Sequence, residues 1–285
     1  MRRLAAFPLF LLAGCSANVA LPLTAKRAYG DPVTVCEIQD ARVKESSGLA
    51  PSLRHKGVWY THNDSGDGPL FFAFNEKGKV LDSYRITGAK AEDWEDMSSA
   101  EVGGTNYLYF GDIGDNRGRR KEVTVYRVRE PEGGGDVPLD KVITLRYPDG
   151  AHNAEALMVL PGSGEICVVT KTSEDKAGVY LAGPEGGEMR KIGGIDVGGF
   201  IRESRKVTGG TVSPDGKYVA VRTYMAAYEF PVSDRFEDWP KSKPLKIKTN
   251  LDLQGEGIAY SADGGSLWTS SEMVPSQISR IARVN

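Results

Sequence analysis

The chain has 285 residues, with 36 lysines and arginines against 38 aspartates and glutamates and a formal charge of −2. Both signs are interspersed, which excludes the basic stripe a nucleic-acid partner would need. Its 34 glycines, many β-branched and aromatic residues and lack of long helical periodicity exclude a helical bundle and point to one large all-β domain.

Met1-Arg2-Arg3 precede an apolar run from Leu4 to Ala13, which closes on Leu12-Ala13-Gly14-Cys15. A basic start and a short apolar stretch read as a secretory signal, too short to persist as a spanning helix. "LAGC" resembles the bacterial lipobox, whose cysteine becomes the lipidated first residue. The expected organisation is a signal peptide over 1–14, lipidated Cys15 and a tether over 15–30, and the folded part over 31–285. Acyl chains would then anchor the protein in the bacterial cell envelope, extracytoplasmic, at the outer membrane or cell surface. No other stretch is long or apolar enough to span a bilayer. Cys36 and Cys167 fall in separate strand-like runs and read as buried thiols rather than a disulfide.

A strand candidate at Thr34–Ala41 comes first, followed by five strand-turn-strand units. They are "SSGLAPSLRHKGVWYTHND" from Ser46, "EDMSSAEVGGTNYLYFGDIGDN" from Glu95, "EALMVLPGSGEICVVTKT" from Glu155, "GGTVSPDGKYVAVRTY" from Gly209 and "EGIAYSADGGSLWTSSE" from Glu256. Two further strands follow most units: Leu70–Phe74 with Val80–Ile86, Val123–Val128 with Val142–Tyr147, Gly178–Ala182 with Met189–Ile195, and Ala226–Val232 with Leu245–Lys248. Four strands per unit, repeated radially, is the signature of a β-propeller. The count predicts five blades, with six as the alternative from length. The last unit ends one strand short after Gln277–Val284. Thr34–Ala41 would supply the missing strand and hide both sheet edges.

In a propeller, the residues starting each innermost strand and those leaving the second strand share one face. The starts align as Ser47, Glu95, Glu155, Gly209 and Glu256, and two residues earlier as Glu45, Asp93, Asn153, Val207 and Gln254. The second strands end at His62, Asn63 and Asp64, at Asp112 and Asp115, and at Lys171, Arg222 and Glu272. Like charges at about 4 Å cost several kcal/mol once partly desolvated, so these carboxylates need compensation. Three solutions are open: a bound Ca²⁺ held by Glu95, Glu155, Glu256 and Asp112, internal counterions Lys171 and Arg222, or a proton on one carboxyl. His62 and His152 fall on the acidic face, as general bases or as hydrogen-bonded loop histidines. With Asp64 and Arg222 they form the candidate catalytic set. Blade four lacks charge at both aligned positions, which suggests a gap where Arg222 meets an anionic group. "GDIGDN" and "HNDSGDG" look like oxygen-donor loops without EF-hand spacing, and no serine sits in a nucleophile elbow.

"ESSGLA", "DWEDMSS", "NAEALMV" and "QGEGIAY" resemble the blade starts of envelope propellers in the SdiA-regulated and esterase-like phytase groupings. More distantly they resemble the calcium-dependent lactonase and gluconolactonase propellers. The resemblance implies a calcium-bearing channel and, for some members, hydrolysis of phosphoesters or lactones, with their blade-start Glu matching Glu95, Glu155 and Glu256. The lactonase pattern mixes one Glu with Asn and Asp around six blades, whereas three Glu and five blades are read here. The expectation is a lipid-anchored propeller whose calcium-binding mouth binds a small phosphoester or lactone ligand of anionic character and, in the enzymatic reading, hydrolyses it. The alternatives are a non-catalytic binding or scaffold lipoprotein, and a glycosidase using two mouth carboxylates with sugar-stacking aromatics near Trp94 or Tyr224.

Overall fold

The computed structural model describes residues 28–64, 66–172, 176–250 and 254–284. The expected signal segment, Cys15 and the tether up to residue 27 lie outside the described residues. No described helix is long and apolar enough to cross a membrane.

Each repeat folds into one antiparallel sheet. Blade 1 runs through Ser46–Pro51, Val58–Asn63, Leu70–Asn75 and Val80–Thr87. Blade 2 follows with Trp94–Val102, Thr105–Asp112, Val123–Arg129 and Lys141–Arg146. Blade 3 comprises Ala154–Val159, Ile166–Thr170, Ala177–Ala182 and Arg190–Ile195, and blade 4 Val207–Val212, Tyr218–Thr223, Ala226–Pro231 and Leu245–Ile247. Blade 5 has Gly255–Tyr260, Ser266–Ser271 and Ser276–Val284. The first strands of neighbouring blades lie side by side around the ring, and that of blade 5 returns to blade 1. The fold is a five-bladed β-propeller.

Blade 5 is completed by the N-terminal strand Val33–Ile38, antiparallel to Ser276–Val284 with Val33 opposite Arg280 and Ile38 opposite Ser276. This is the expected closure. Three short strands lie outside the four-per-blade reading. Ala28–Tyr29, at the end of the expected tether, pairs antiparallel with Ser276–Val284, with Tyr29 opposite Arg283, so the fold begins before residue 31. Gly135–Pro138 adds in parallel to the outer edge of blade 1, and Gly187–Glu188 does the same for blade 2.

The core consists of five apolar layers, one between each pair of adjacent blades. Innermost strands are covered on both faces, which is why Ala154–Val159 is buried throughout while the outer Val80–Thr87 alternates. Trp59 of blade 1 stacks on Trp268 of blade 5 at 4.4 Å between ring centroids. Trp94, wholly buried, stacks on Phe110 at 5.0 Å and offers no face to a sugar. Cys36 and Cys167 are both free thiols.

All five innermost strands share a β-bulge at their start. The pairing to the second strand skips between Ser46 and Leu49, Trp94 and Asp96, Ala154 and Ala156, Val207 and Gly209, and Gly255 and Ile258. A bulge bends the strand and re-aims the unpaired side chain. That local irregularity positions the site.

Candidate functional site

The bulge brings one residue per blade to the same height: Ser47, Glu95, Glu155, Thr208 and Glu256. In blade four this is Thr208, not the expected Gly209, because the bulge interrupts the period-two alternation. Thr208 donates to the Gly255 carbonyl at 2.9 Å. The next residue in each blade is Gly48, Asp96, Ala156, Gly209 or Gly257. Four of these are small because the strands nearly touch there. A Cβ on Gly209 would lie 2.6 Å from the Glu256 carbonyl oxygen, and one on Gly257 2.9 Å from that of Ser47. The glycine of blade four is therefore a requirement of packing, and the expected ligand gap closes.

Asp96 is the exception in that column and is wholly buried. Its Oδ1 accepts from the Met97 N–H at 2.8 Å, and its Oδ2 from the Leu157 N–H at 2.9 Å and the Gly210 N–H at 3.1 Å. It thus ties blade 2 to blades 3 and 4, forming a crossbar over the channel. Burial drives this carboxyl well above the ordinary range, against the three N–H groups that pull it down.

Above the crossbar the carboxylates converge. Asp64, Asp93 and Glu95 each place one oxygen within 4.8 Å of the others. Glu155 pairs with Lys171, whose ammonium also lies 5.2 Å over the Tyr224 ring. Burial raises Glu95 well above its usual range, helped by Glu155, Asp64 and Asp93. Burial and Asp64 raise Asp93 in the same sense. Glu256 is raised by burial and by Glu155 and Glu272. Glu155 is pushed up to about 7 by burial despite Lys171, and Glu272 to about 7 by burial together with Asp64 and Glu45. The expected convergence of Glu95, Glu155 and Glu256 is present.

The loop Gly111–Asn116, of sequence "GDIGDN", walls the cluster. The Gly114 N–H donates to the Asp93 carbonyl at 3.1 Å. A Cβ on Gly114 would fall 2.3 Å from Glu95 Oε1 and 2.5 Å from Asp93 Oδ2, so only glycine lets the backbone close over both carboxylates.

Several expected site residues do other work. Asp112 is buried, with Oδ1 accepting from Arg120 at 2.7 Å and from the Asp93 N–H at 3.1 Å, and Oδ2 from the Glu92 N–H at 3.1 Å. It organises the rim instead of facing the cluster. Arg222 is wholly buried and its Nη1 donates to the carbonyls of Gly257 at 3.0 Å and Ser270 at 2.6 Å, strapping blade 4 to blade 5. It meets no incoming anion. His62 is also wholly buried, with Nδ1 2.7 Å from the Asn63 carbonyl and the ring edge-on to Trp94. Burial lowers its pKa, and it does not reach the mouth.

His152 is half-buried, 2.9 Å from Asp149 Oδ1 and 3.0 Å from the Tyr180 hydroxyl. Lys191 completes this group by contacting Asp149 at 2.8 Å. Against burial, Lys191, His152 and Tyr180 hold Asp149 down at about 2. His152 is thereby committed to a blade 3 cluster of its own. Asn153, expected beside it in the second polar ring, accepts from the Asp115 N–H at 2.7 Å.

Asp96 and Gly114 carry roles that the reading of the repeats passed over. Asp96 had a visible signal, since it stands where the other blades have glycine or alanine.

No family model and no curated protein matches the chain. Among solved structures, that of U3-55K is similar, with 11% identity over 83% of this chain and 67% of the other and a TM-score of 0.44.

Proposed function

We propose that the acidic mouth binds a divalent cation, calcium by the oxygen-only character of its donors, and with it a small phosphoester or lactone-type ligand. The observation that carries this reading is the trio Asp64, Asp93 and Glu95, with oxygens within 4.8 Å of one another. At an effective dielectric of about 20, each pair of charges at that spacing repels by roughly 3 kcal/mol. A dication converts that repulsion into attraction, and Ca²⁺ accepts irregular oxygen cages. The Gly114 cradle supports the same reading, because it keeps the space beside Glu95 and Asp93 free of a side chain.

A bound cation would supply charge neutralisation and polarise a phosphoryl or carbonyl oxygen. The residues around it would exclude water from one side and manage protons. Glu155 and Glu272, both raised to about 7 in the calcium-free protein, are the carboxyls at the mouth placed to hold or move a proton, whereas His62 is buried away from it and His152 is engaged with Asp149. Lys171 orients Glu155 through their ion pair. Attachment to the cell envelope through Cys15 belongs to this proposal and rests on the N-terminal motif alone.

The non-catalytic reading has one observation in its favour. The Glu155–Lys171 and Asp112–Arg120 pairs already neutralise part of the rim from within. Calorimetric titration of the purified protein with CaCl₂, wild type against Glu95→Gln and Asp64→Asn, tests the ion. Wild type should bind saturably and each variant at least tenfold more weakly, and a wild type that binds no calcium refutes the reading. A panel of phosphomonoesters, lactones and aryl esters then separates the branches. Calcium-dependent turnover supports hydrolysis, and calcium binding with no turnover supports the binding lipoprotein.

A further inference from the structure

We propose that the far end of the channel, beneath Asp96, is a second binding site, for a small uncharged molecule with an apolar body and a hydroxyl or carbonyl group. The cavity there has a volume of about 320 Å³. That is the lower range of small-molecule pockets, and room for about ten waters at roughly 30 Å³ each. All five blades contribute to its wall.

The chemistry of the wall selects the ligand. Leu49, Pro51, Pro161, Val212 and Pro214 supply apolar surface, while Ser98, Ser99, Thr211 and Asn106 supply neutral donors and acceptors. The titratable groups along the lining are Glu101, which is exposed to solvent, and Tyr260, whose hydroxyl donates to Glu229 at 2.6 Å. Asp96, next in the chain to the lining residue Met97, keeps both carboxyl oxygens on backbone N–H groups of blades 2, 3 and 4 and adds no charge to the wall. An anion would lose its hydration there without finding an opposite charge, a heavy penalty, and a cation would meet only Glu101, whose exposure to solvent screens the attraction. A neutral molecule exchanges water for serine, threonine and amide partners while burying its apolar part. The ring of innermost strands thus offers a strongly acidic end and a neutral, half-apolar end. The inference is independent of the reading of the acidic mouth.

Methyl NMR of the full chain, titrated with benzyl alcohol and with cyclohexanol, tests it. The charged isosteres benzoate and benzylammonium serve as controls. Saturable shifts confined to the methyls of the lining residues, Leu49, Met97, Ala100, Val212 and Ala259 among them, are expected, with the charged isosteres at least tenfold weaker. Ser98→Ala and Ser99→Ala should each weaken benzyl alcohol about fivefold, the worth of one neutral hydrogen bond. Ala262→Trp changes an exposed turn residue at the rim, so it leaves the core intact and should abolish the shifts. If neither alcohol gives saturable shifts, the cavity holds water only and the proposal falls. It falls equally if the charged isosteres bind as well, or if binding survives Ala262→Trp.

Discussion

Replacing Asp96 by alanine should loosen the whole ring, because one carboxylate serves three backbone donors on three blades. The N–H groups of Met97, Leu157 and Gly210 lose their acceptor at once. A buried donor left unsatisfied costs about 1–3 kcal/mol, so the gross loss is roughly 3–9 kcal/mol. Two effects reduce it. Burial already disfavours the ionised carboxylate, as its raised pKa records, and that cost disappears with the side chain. Water filling the space left by the side chain can also serve some of the donors. The net expectation is about 3–5 kcal/mol, or a melting temperature lower by roughly 6–20 °C for a domain of this size. Asp96→Asn separates geometry from charge. Turning its oxygen toward Leu157 and Gly210 leaves the amide nitrogen facing the Met97 N–H, one donor against another, so it should cost about 1–3 kcal/mol. Urea unfolding followed by tryptophan fluorescence provides the measurement, with an unchanged m-value as the check that the same transition is observed. A midpoint for Asp96→Ala within about 1 kcal/mol of wild type would refute the crossbar.

The remaining expectations concern the mouth and its straps. Gly114→Ala should weaken calcium binding at least tenfold while leaving the melting temperature in saturating EDTA nearly unchanged, since its Cβ would collide with the carboxylates of Glu95 and Asp93; equal calcium affinity by titration would contradict the cradle. Glu155 and Glu272 rise from an ordinary 4.5 to about 7 in the folded protein, so the folded chain holds protons that the unfolded chain has already released. The contribution of these groups to calcium-free stability should therefore be fully present below about pH 4.5, be lost as the pH rises through about 7 by roughly 3 kcal/mol for each group, and not recover above it. Glu272→Gln should flatten the slope of urea midpoint against pH, and a slope unchanged in that variant would remove Glu272 from the cause. Arg222→Met should cost about 3 kcal/mol by leaving the Gly257 and Ser270 carbonyls without their buried donor, yet spare calcium affinity in the folded fraction; a loss of affinity with unchanged stability would return Arg222 to the ligand site.

The blades were readable because each repeat buries its first two strands between neighbours, so that apolar runs such as "ALMV" and "ICVVT" recur at similar spacing. The closing strand was readable because the last repeat fell one strand short. The outermost strands Gly135–Pro138 and Gly187–Glu188 escaped notice for a physical reason. They are short, lack alternation and pair in parallel with a blade edge far away in sequence. At the mouth, the convergence of Glu95, Glu155 and Glu256 followed from the repeat, yet the roles of Arg222 and His62 did not. Arg222 is buried by two carbonyls of blade 5, and His62 by the rings of Trp94 and Phe110 in blade 2. Neither partner lies near in the chain. The bulge caused the one-residue error at Thr208, since an added residue inverts the facing of what precedes it. The same bulge explains why a departure from the repeat says more than the repeat does. Where four blades carry glycine or alanine to let strands approach, blade 2 carries Asp96, and a charged residue survives at that crowding only if the strands around it supply its hydrogen bonds. They do so with three N–H groups. Blade 2 therefore contributes consecutive carboxylates to different tasks, Glu95 to the open mouth and Asp96 to the partition beneath it.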